Sequence, residues 1–196
     1  MKMISGLSQP TSGEIEMFGY KNAQLKNVRS RISCLIESPG LYGNMSAYDN
    51  LAVKCRLFGI NDKRYIENIL KTVGLSNVGK KKTKHFSLGM KQRLGIGMAL
   101  VGEPDLLLLD EHTAALDPKT ADKVLQITEE IVARDNLTTL MVTHNMKNAI
   151  QYGNRLIMMD AGRVVVDIRG EEKKNLTVSD LLEKFNIEND RMLLSE

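Results

Sequence analysis

Four consecutive leucines at 106–109 run directly into Asp110 and Glu111. A short unbroken apolar run of this kind is the pattern of a strand buried on both faces of a parallel sheet. Such a strand delivers its two carboxylates at its C-terminal end, where open α/β sheets bind their ligands. There the first acid can hold Mg²⁺ through water, and the second can orient or deprotonate an attacking water. A strand that simply ends in polar residues has the same pattern, so its neighbours must decide between the two.

Those neighbours carry more signals. Asp117 follows at the end of Ala114-Ala115-Leu116-Asp117, and His144 stands just past a second apolar stretch at 138–142. A neighbouring parallel strand would set His144 beside Glu111, where an imidazole could contact a γ-phosphate and position the water. The plain alternative is a structural cap. Upstream, Phe86-Ser87-Leu88-Gly89-Met90-Lys91-Gln92-Arg93 opens a helix. Free backbone N–H groups and the positive helix end there suit a phosphate, although an ordinary N-cap looks the same.

The rest of the chain reads as elements around these points. Residues 1–5 with Gly6 read as the tail of a helix ending in a glycine cap. A turn at 10–13, a strand at 14–18 and a second strand ending at Ile36 follow. Ser46 with Asp49 forms a capping-box pattern for a helix to Phe58; Asp62 and Ser87 open helices at 63–73 and 88–101. Beyond the leucines, Asp117-Pro118 is N-cap and N1 of a helix reaching about Arg134. A buried strand at 138–142, a short helix at 145–152, a hairpin turning at 160–162 on the sheet edge and a helix from Thr177 complete the pattern. Strand–helix alternation predicts an α/β fold. Four segments are expected: a partial core at 1–45, a helical subdomain at 46–101, core again at 102–170, and a helical tail at 171–196.

Composition bounds the function. No apolar run approaches the roughly 18 residues of a membrane span, and no charged-then-apolar leader opens the chain, so secretion is not expected. Cys34 and Cys55 are too few and too far apart for a disulfide framework; a soluble protein of a reducing compartment is expected. Residues 1–98 carry 16 Lys+Arg against 6 Asp+Glu, while 99–196 carry 11 against 18. With no Trp, five Tyr and four Phe, base-stacking platforms are scarce. The lysines at 80, 81, 82 and 84 are read as a solvated loop, and nucleic acid is not expected as a partner.

Taken in order, these pieces resemble the nucleotide-binding subunit of ABC transporters. Residues 87–90 stand where that family has its LSGGQ signature, with Ser87 and Gly89 kept and Leu88 and Met90 substituted. Asp110 and Glu111 resemble Walker B and the catalytic glutamate, Asp117 the D-loop aspartate, and His144 the switch histidine. Glu37 stands at the Q-loop glutamine, which keeps oxygen ligation and adds a charge; His112 replaces the usual proline. The resemblance implies a P-loop NTPase-like, RecA-like α/β core with a mostly parallel sheet and an inserted helical subdomain. It implies ATP and Mg²⁺ as cofactors, with Asp110 and Glu37 on the metal. Glu111 and His144 would be catalytic, while Ser87, Gly89, Met90, Asp117 and Glu37 would bind nucleotide. The implied partners are a transmembrane permease subunit, a second nucleotide-binding subunit and a substrate-binding protein. The implied place is cytoplasmic, peripheral on the inner face of the cell membrane.

The family's P-loop, G-x-x-x-x-G-K-[ST], has one near match here, residues 74–81. It fails because Lys81 offers no hydroxyl to Mg²⁺ and because it follows a helix, so it reads as a helix stop and a basic loop. The chain is therefore expected to begin inside the helix after the P-loop and to hydrolyse no ATP alone. Residues 37–42 and 86–94 resemble exporters of bacitracin- and lantibiotic-type peptides. Residues 106–120, 138–147, 171–174 and 189–195 resemble ATPases paired with an amino-acid-type binding protein. A mis-joined or recombinant frame, giving a non-catalytic half-subunit that offers only its signature face, is the alternative expectation.

Overall fold

The computed structural model describes the backbone of residues 1–193 and the side chains of residues 1–186; the rest of the expected tail resemblance at 189–195 lies outside the described residues. The chain forms two compact units, Met1–Val142 and Thr143–Glu196.

In the first unit the leucines form β4 (Leu106–Asp110), the middle of a three-stranded parallel sheet. Its neighbours are β3 (Ile32–Ile36) and β5 (Thr138–Val142). Leu107, Leu108 and Leu109 are fully buried, which explains a strand with no polar alternation. Near the N-terminus, β1 (Glu16–Met17) and β2 (Tyr20–Lys21) pair through a two-residue turn at Phe18 and Gly19, both at positive φ. Such a turn matches the right-handed twist of a hairpin. The strand expected to end at Ile36 does end there, as β3, but it is short and not the next strand in the chain. After β2 the backbone turns at Asn22 (φ 44°) into two short 3-10 stretches, Asn22–Asn27 and Arg29–Arg31, and only then enters β3. Leu25 and Val28, three apart, are the residues that bury, a spacing of turns and not of strands.

Residues 1–7 close as expected of a helix end. The Leu7 N–H donates to the Lys2 carbonyl and the Gly6 N–H to that of Met3, with Gly6 at φ 79°. This is the paired bonding of a Schellman cap.

Helices α1 (Ala47–Leu57), α2 (Lys63–Thr72) and α3 (Leu88–Leu100) follow β3. Each has the cap its sequence announces: Ser46 and Asp49 form a reciprocal box, Asp62 accepts from the Arg64 N–H, and Ser87 from the Met90 N–H. Such caps contribute about 1 kcal/mol each. Arg93 on α3 donates to the Val73 and Gly74 carbonyls, closing the C-terminus of α2. Gly95 sits mid-helix because a Cβ there would lie 2.7 Å from Pro39 Cβ and 3.0 Å from Leu35 Cδ1. A close approach of β3 and the segment after it outweighs the roughly 1 kcal/mol that glycine costs a helix. Leu35, Leu51, Ile69, Leu94, Leu107 and Val124 are among the residues of the single core that joins sheet and helices. α4 (Pro118–Arg134) starts at the Asp117 cap with Pro118 at its first position.

β5 differs from expectation. Thr138, Leu140 and Val142 are exposed while Thr139 and Met141 are half-buried, so it is not a strand buried on both faces. Among the described residues its paired neighbour is β4 alone, which leaves one edge and one face open.

The second unit has α5 (Met146–Gln151), capped by Asn145, then β6 (Arg155–Asp160) and β7 (Arg163–Arg169), α6 (Glu171–Lys174) and α7 (Val178–Leu193). β6 and β7 form their own antiparallel sheet; the hairpin is not an edge of the β3–β4–β5 sheet. Leu156, Val165, Val166 and Ile168 bury with Leu181. Lys173 is buried and donates to the Ile150 and Tyr152 carbonyls, and burial lowers its pKa. No helix among the described residues is long and apolar enough to cross a membrane.

Candidate functional site

Parallel pairing sets the strand ends side by side. Ile36 lies opposite Asp110, and Asp110 opposite Val142. One residue on, the Glu37 N–H donates to the Asp110 carbonyl at 3.0 Å and the Glu111 N–H to the Val142 carbonyl at 3.1 Å. Both glutamates then leave the strand in the left-handed region, Glu37 at φ 55° and Glu111 at φ 47°. Left-handed backbone costs a non-glycine residue about 1 kcal/mol or more. Such strain persists where surrounding structure imposes it, and it collects at functional positions. Here the imposing contacts are the two cross-strand bonds.

Two buried polar side chains adjoin these positions. Gln92, 3% exposed, donates from Nε2 to the Glu37 carbonyl at 2.9 Å. Its Oε1 is buried without a partner among the described residues, as is Nε2 of His112. His112 is 1% exposed, and burial pushes its pKa down to about 4. At neutral pH it is therefore an uncharged imidazole directly after Glu111. The run 111–117 turns tightly, with the Ala114 N–H on the Glu111 carbonyl and the Leu116 N–H on that of Thr113.

A second group gathers at the start of α3 and α4. Ser87 is exposed with its Oγ accepting from the Met90 N–H at 3.3 Å; Met90 itself packs half-buried against the core. Asp117 accepts from the Thr120 N–H at 3.0 Å, and its hydrogen bonding with Thr120 lowers its pKa. Gly89 joins the two: a Cβ there would stand 2.3 Å from Thr120 Cγ2. Two helix N-termini thus meet where only glycine fits, one headed by Ser87 and one by Asp117.

Of the residues singled out by sequence, Glu37, Asp110 and Glu111 come together at the strand ends. Ser87, Gly89, Met90 and Asp117 come together at the helix starts, and Gln92 ties α3 to the first group through Glu37. His144 belongs to the second compact unit, beside the Asn145 cap of α5. Sequence reasoning did not assign Gln92 a role. Its one visible signal was a polar residue on a helix whose neighbours Leu94, Ile96 and Ala99 are all buried.

The carboxylates offer the hard oxygen donors that Mg²⁺ prefers. No group of three or more His, Cys, Asp and Glu side chains able to hold a metal occurs among the described residues. The loop at 74–81 follows α2 and not a strand, as expected, and carries a 3-10 turn at Ser76–Val78.

Comparison with known proteins matches residues 1–114 to the ABC transporter family. The chain belongs to that family, and it is of the ATP-binding subunit kind. It is 39% identical over 210 residues to the tyrosine transport ATP-binding protein of Clostridioides difficile, covering 94% of this chain and 79% of the relative. It is 34% identical over 199 residues to the bacitracin transport ATP-binding protein BcrA of Bacillus licheniformis, covering 100% of this chain and 64% of that protein. A methionine import ATP-binding protein of Enterococcus faecalis is 34% identical over 84% of this chain, which spans 50% of that relative. Both kinds of relative expected from the sequence are present, and the first two each align across both halves of the chain. The fold class is that of the family, an α/β P-loop NTPase core, with the β3–β4–β5 sheet as its parallel element.

Proposed function

We propose that this chain is the ATP-binding subunit that powers transport across a membrane through a partner permease, working from the inner face of the cell membrane. The observation that carries the reading is the register of β3, β4 and β5, which aligns Glu37, Asp110 and Glu111 at one end of a parallel sheet. When bound, Mg²⁺ and ATP supply a polarised phosphoryl group. Asp110 and Glu37 would hold the ion, Glu37 with a charge where the family's motif has glutamine. Glu111 orients and deprotonates water from a backbone already turned by its bond to Val142. Ser87, Gly89 and the α3 N-terminus, with Met90, offer N–H groups to nucleotide held by a second subunit, and Asp117 shapes the facing surface. His144 is assigned the γ-phosphate-sensing role on the resemblance alone. The segments 1–45, 46–101, 102–170 and 171–196 are the proposed division of labour. Substrate and direction follow the permease and, for an importer, a substrate-binding protein; nucleic acid is not a partner.

Residues 1–196 contain no G-x-x-x-x-G-K-[ST] after a strand, which favours a second reading for the chain by itself. It would give only its signature face to an intact subunit and turn over no ATP unaided. The test is steady-state ATP hydrolysis by the purified 196-residue chain beside Glu111→Gln. Turnover that Glu111→Gln abolishes supports the first reading and refutes the second. Silence of the chain alone, with hydrolysis on mixing with an intact subunit that Ser87→Arg prevents, supports the second.

A further inference from the structure

In the second unit α5 has six residues and α6 four, too few for either to hold its shape alone. The β6–β7 hairpin joins them, and each junction turns on a glycine at positive φ, Gly153 after α5 (72°) and Gly170 before α6 (64°). Across that junction the Gly170 N–H reaches the Asn154 carbonyl at 3.4 Å, a long bond for the purpose.

Lys173 makes the firmer connection. Its side chain is 3% exposed. Its ammonium donates to the Ile150 carbonyl and, at 3.0 Å, to the Tyr152 carbonyl. Both carbonyls lie at the C-terminal end of α5, where a helix leaves its carbonyls without partners of its own. Burying an ammonium is unfavourable unless its hydrogen bonds are made. Lys174 beside it takes the ordinary course, exposed and paired with Glu171 at 2.6 Å. Met146, Ala149 and Ile150 meanwhile pack half-buried against the cluster of Leu156, Val166 and Leu181, so α5 has one apolar face seated and its far end held by the lysine.

The near end of α5 carries His144. Asn145 Oδ1 accepts from the Asn148 N–H at 3.1 Å, and the Asn145 N–H donates to Thr143 Oγ1 at 3.1 Å. His144 is the residue enclosed between those two anchors, so its Cα–Cβ bond turns with the first turn of the helix. Six residues of helix make a lever about 9 Å long, held at one end by Lys173 and bearing the imidazole at the other. We propose that Lys173 is a positioning residue for His144: by gripping the C-terminal carbonyls of α5 it fixes the helix whose first turn aims the imidazole. This rests on the reading of His144 as the γ-phosphate sensor and deepens it. Lys173 acts by hydrogen-bond donation alone, and no proton is transferred.

The experiment is NMR of the 196-residue chain without nucleotide, reading the imidazole Cε1–H signals of His85, His112 and His144 together with amide hydrogen exchange. Lys173→Met keeps the length of the stem and removes the donors. It is expected to shift the His144 signal and leave those of His85 and His112 in place. The Ala149 and Tyr152 amides, which donate to the Asn145 and Asn148 carbonyls, should exchange at least about tenfold faster, as loss of a charged donor implies. Lys173→Arg, which restores a charged donor, returns the signal and the protection; Lys174→Met disturbs neither. The proposal is overturned by a stationary His144 signal in Lys173→Met, by equal movement of all three imidazoles, by an equal effect of Lys174→Met, or by failure of Lys173→Arg to restore the signal. If Lys173→Met does not fold, the native chain decides. There the Ala149 amide and the Leu176 amide, which donates to the Lys173 carbonyl at 3.2 Å, should exchange through one opening with the same urea dependence; separate openings overturn the proposal. None of these readouts involves nucleotide. Failure of the sensing role, seen as ATP hydrolysis by the complex with an intact subunit that His144→Ala leaves unchanged, is therefore told apart from failure of the positioning.

Discussion

The Gln92 side-chain amide donates to the Glu37 carbonyl at 2.9 Å while the Glu37 N–H donates to the Asp110 carbonyl at 3.0 Å. The peptide leaving β3 is therefore held on one side by the end of β4 and on the other by α3. Gln92→Leu keeps the volume and removes the donor, leaving the Glu37 carbonyl without that bond. Loss of such a bond costs about 1–2 kcal/mol, slightly offset because the unpartnered Oε1 goes too. Urea unfolding of the variant should show a lower midpoint at an unchanged slope; an identical midpoint would mean the bond is idle.

Glu37 itself carries strain that its side chain does not require for folding, since it is exposed and at φ 55°. Glu37→Gly relieves the left-handed penalty and adds some freedom to the unfolded chain. The net expectation is a gain of roughly 0.5–1 kcal/mol in stability. A loss on unfolding in urea would contradict it.

Gly89 and Thr120 make a sharper test. The Cβ of Gly89→Ala would fall 2.3 Å from Thr120 Cγ2, and overpacking of this kind costs about 1–3 kcal/mol. Thr120→Ser removes that methyl and keeps the hydroxyl. The double variant should recover most of the loss, giving a coupling energy of about 1 kcal/mol or more in a double-mutant cycle. Additive losses would place the strain elsewhere.

His112 makes stability depend on pH. Burial holds its folded pKa at about 4, below the ordinary imidazole value of 6.5. Between those values the unfolded chain binds the proton and the folded chain does not, so stability rises with pH through this window. The contribution is fully present above about pH 6.5 and is lost as pH falls toward 4, with a span on the order of 3 kcal/mol. Urea unfolding at several pH values should show this slope, and His112→Gln should flatten it. An equal slope in both proteins would assign the effect to other groups.

Local chemistry was readable in the sequence. Ser46, Asp62, Ser87, Asp117, Asn145 and Thr177 all open helices, because a cap needs only a side-chain oxygen and the next two or three N–H groups. The leucine run named β4 because burial on both faces leaves no room for alternation. What escaped were outcomes of distant packing. The stretch after β2 has residues that suit a strand, but Asn22 turns it and Leu25 and Val28 take the core. β5 has the composition of a buried strand yet keeps an open face. Gln92 owes its role to a backbone atom 55 residues away, which no local pattern announces. In the site, the strand-end carboxylates were legible as a motif, whereas the left-handed turns of Glu37 and Glu111 were not.

Pro39 rests in the notch that Gly95 leaves in α3, bounded along the same face by Gln92 a turn before and by Met98 and Ala99 a turn after. Any side chain at 95 would push that seat outward. The segment that follows Glu37 is thus keyed to the helix by an absence of atoms, and enlarging residue 95 is a way to lift it without touching either glutamate.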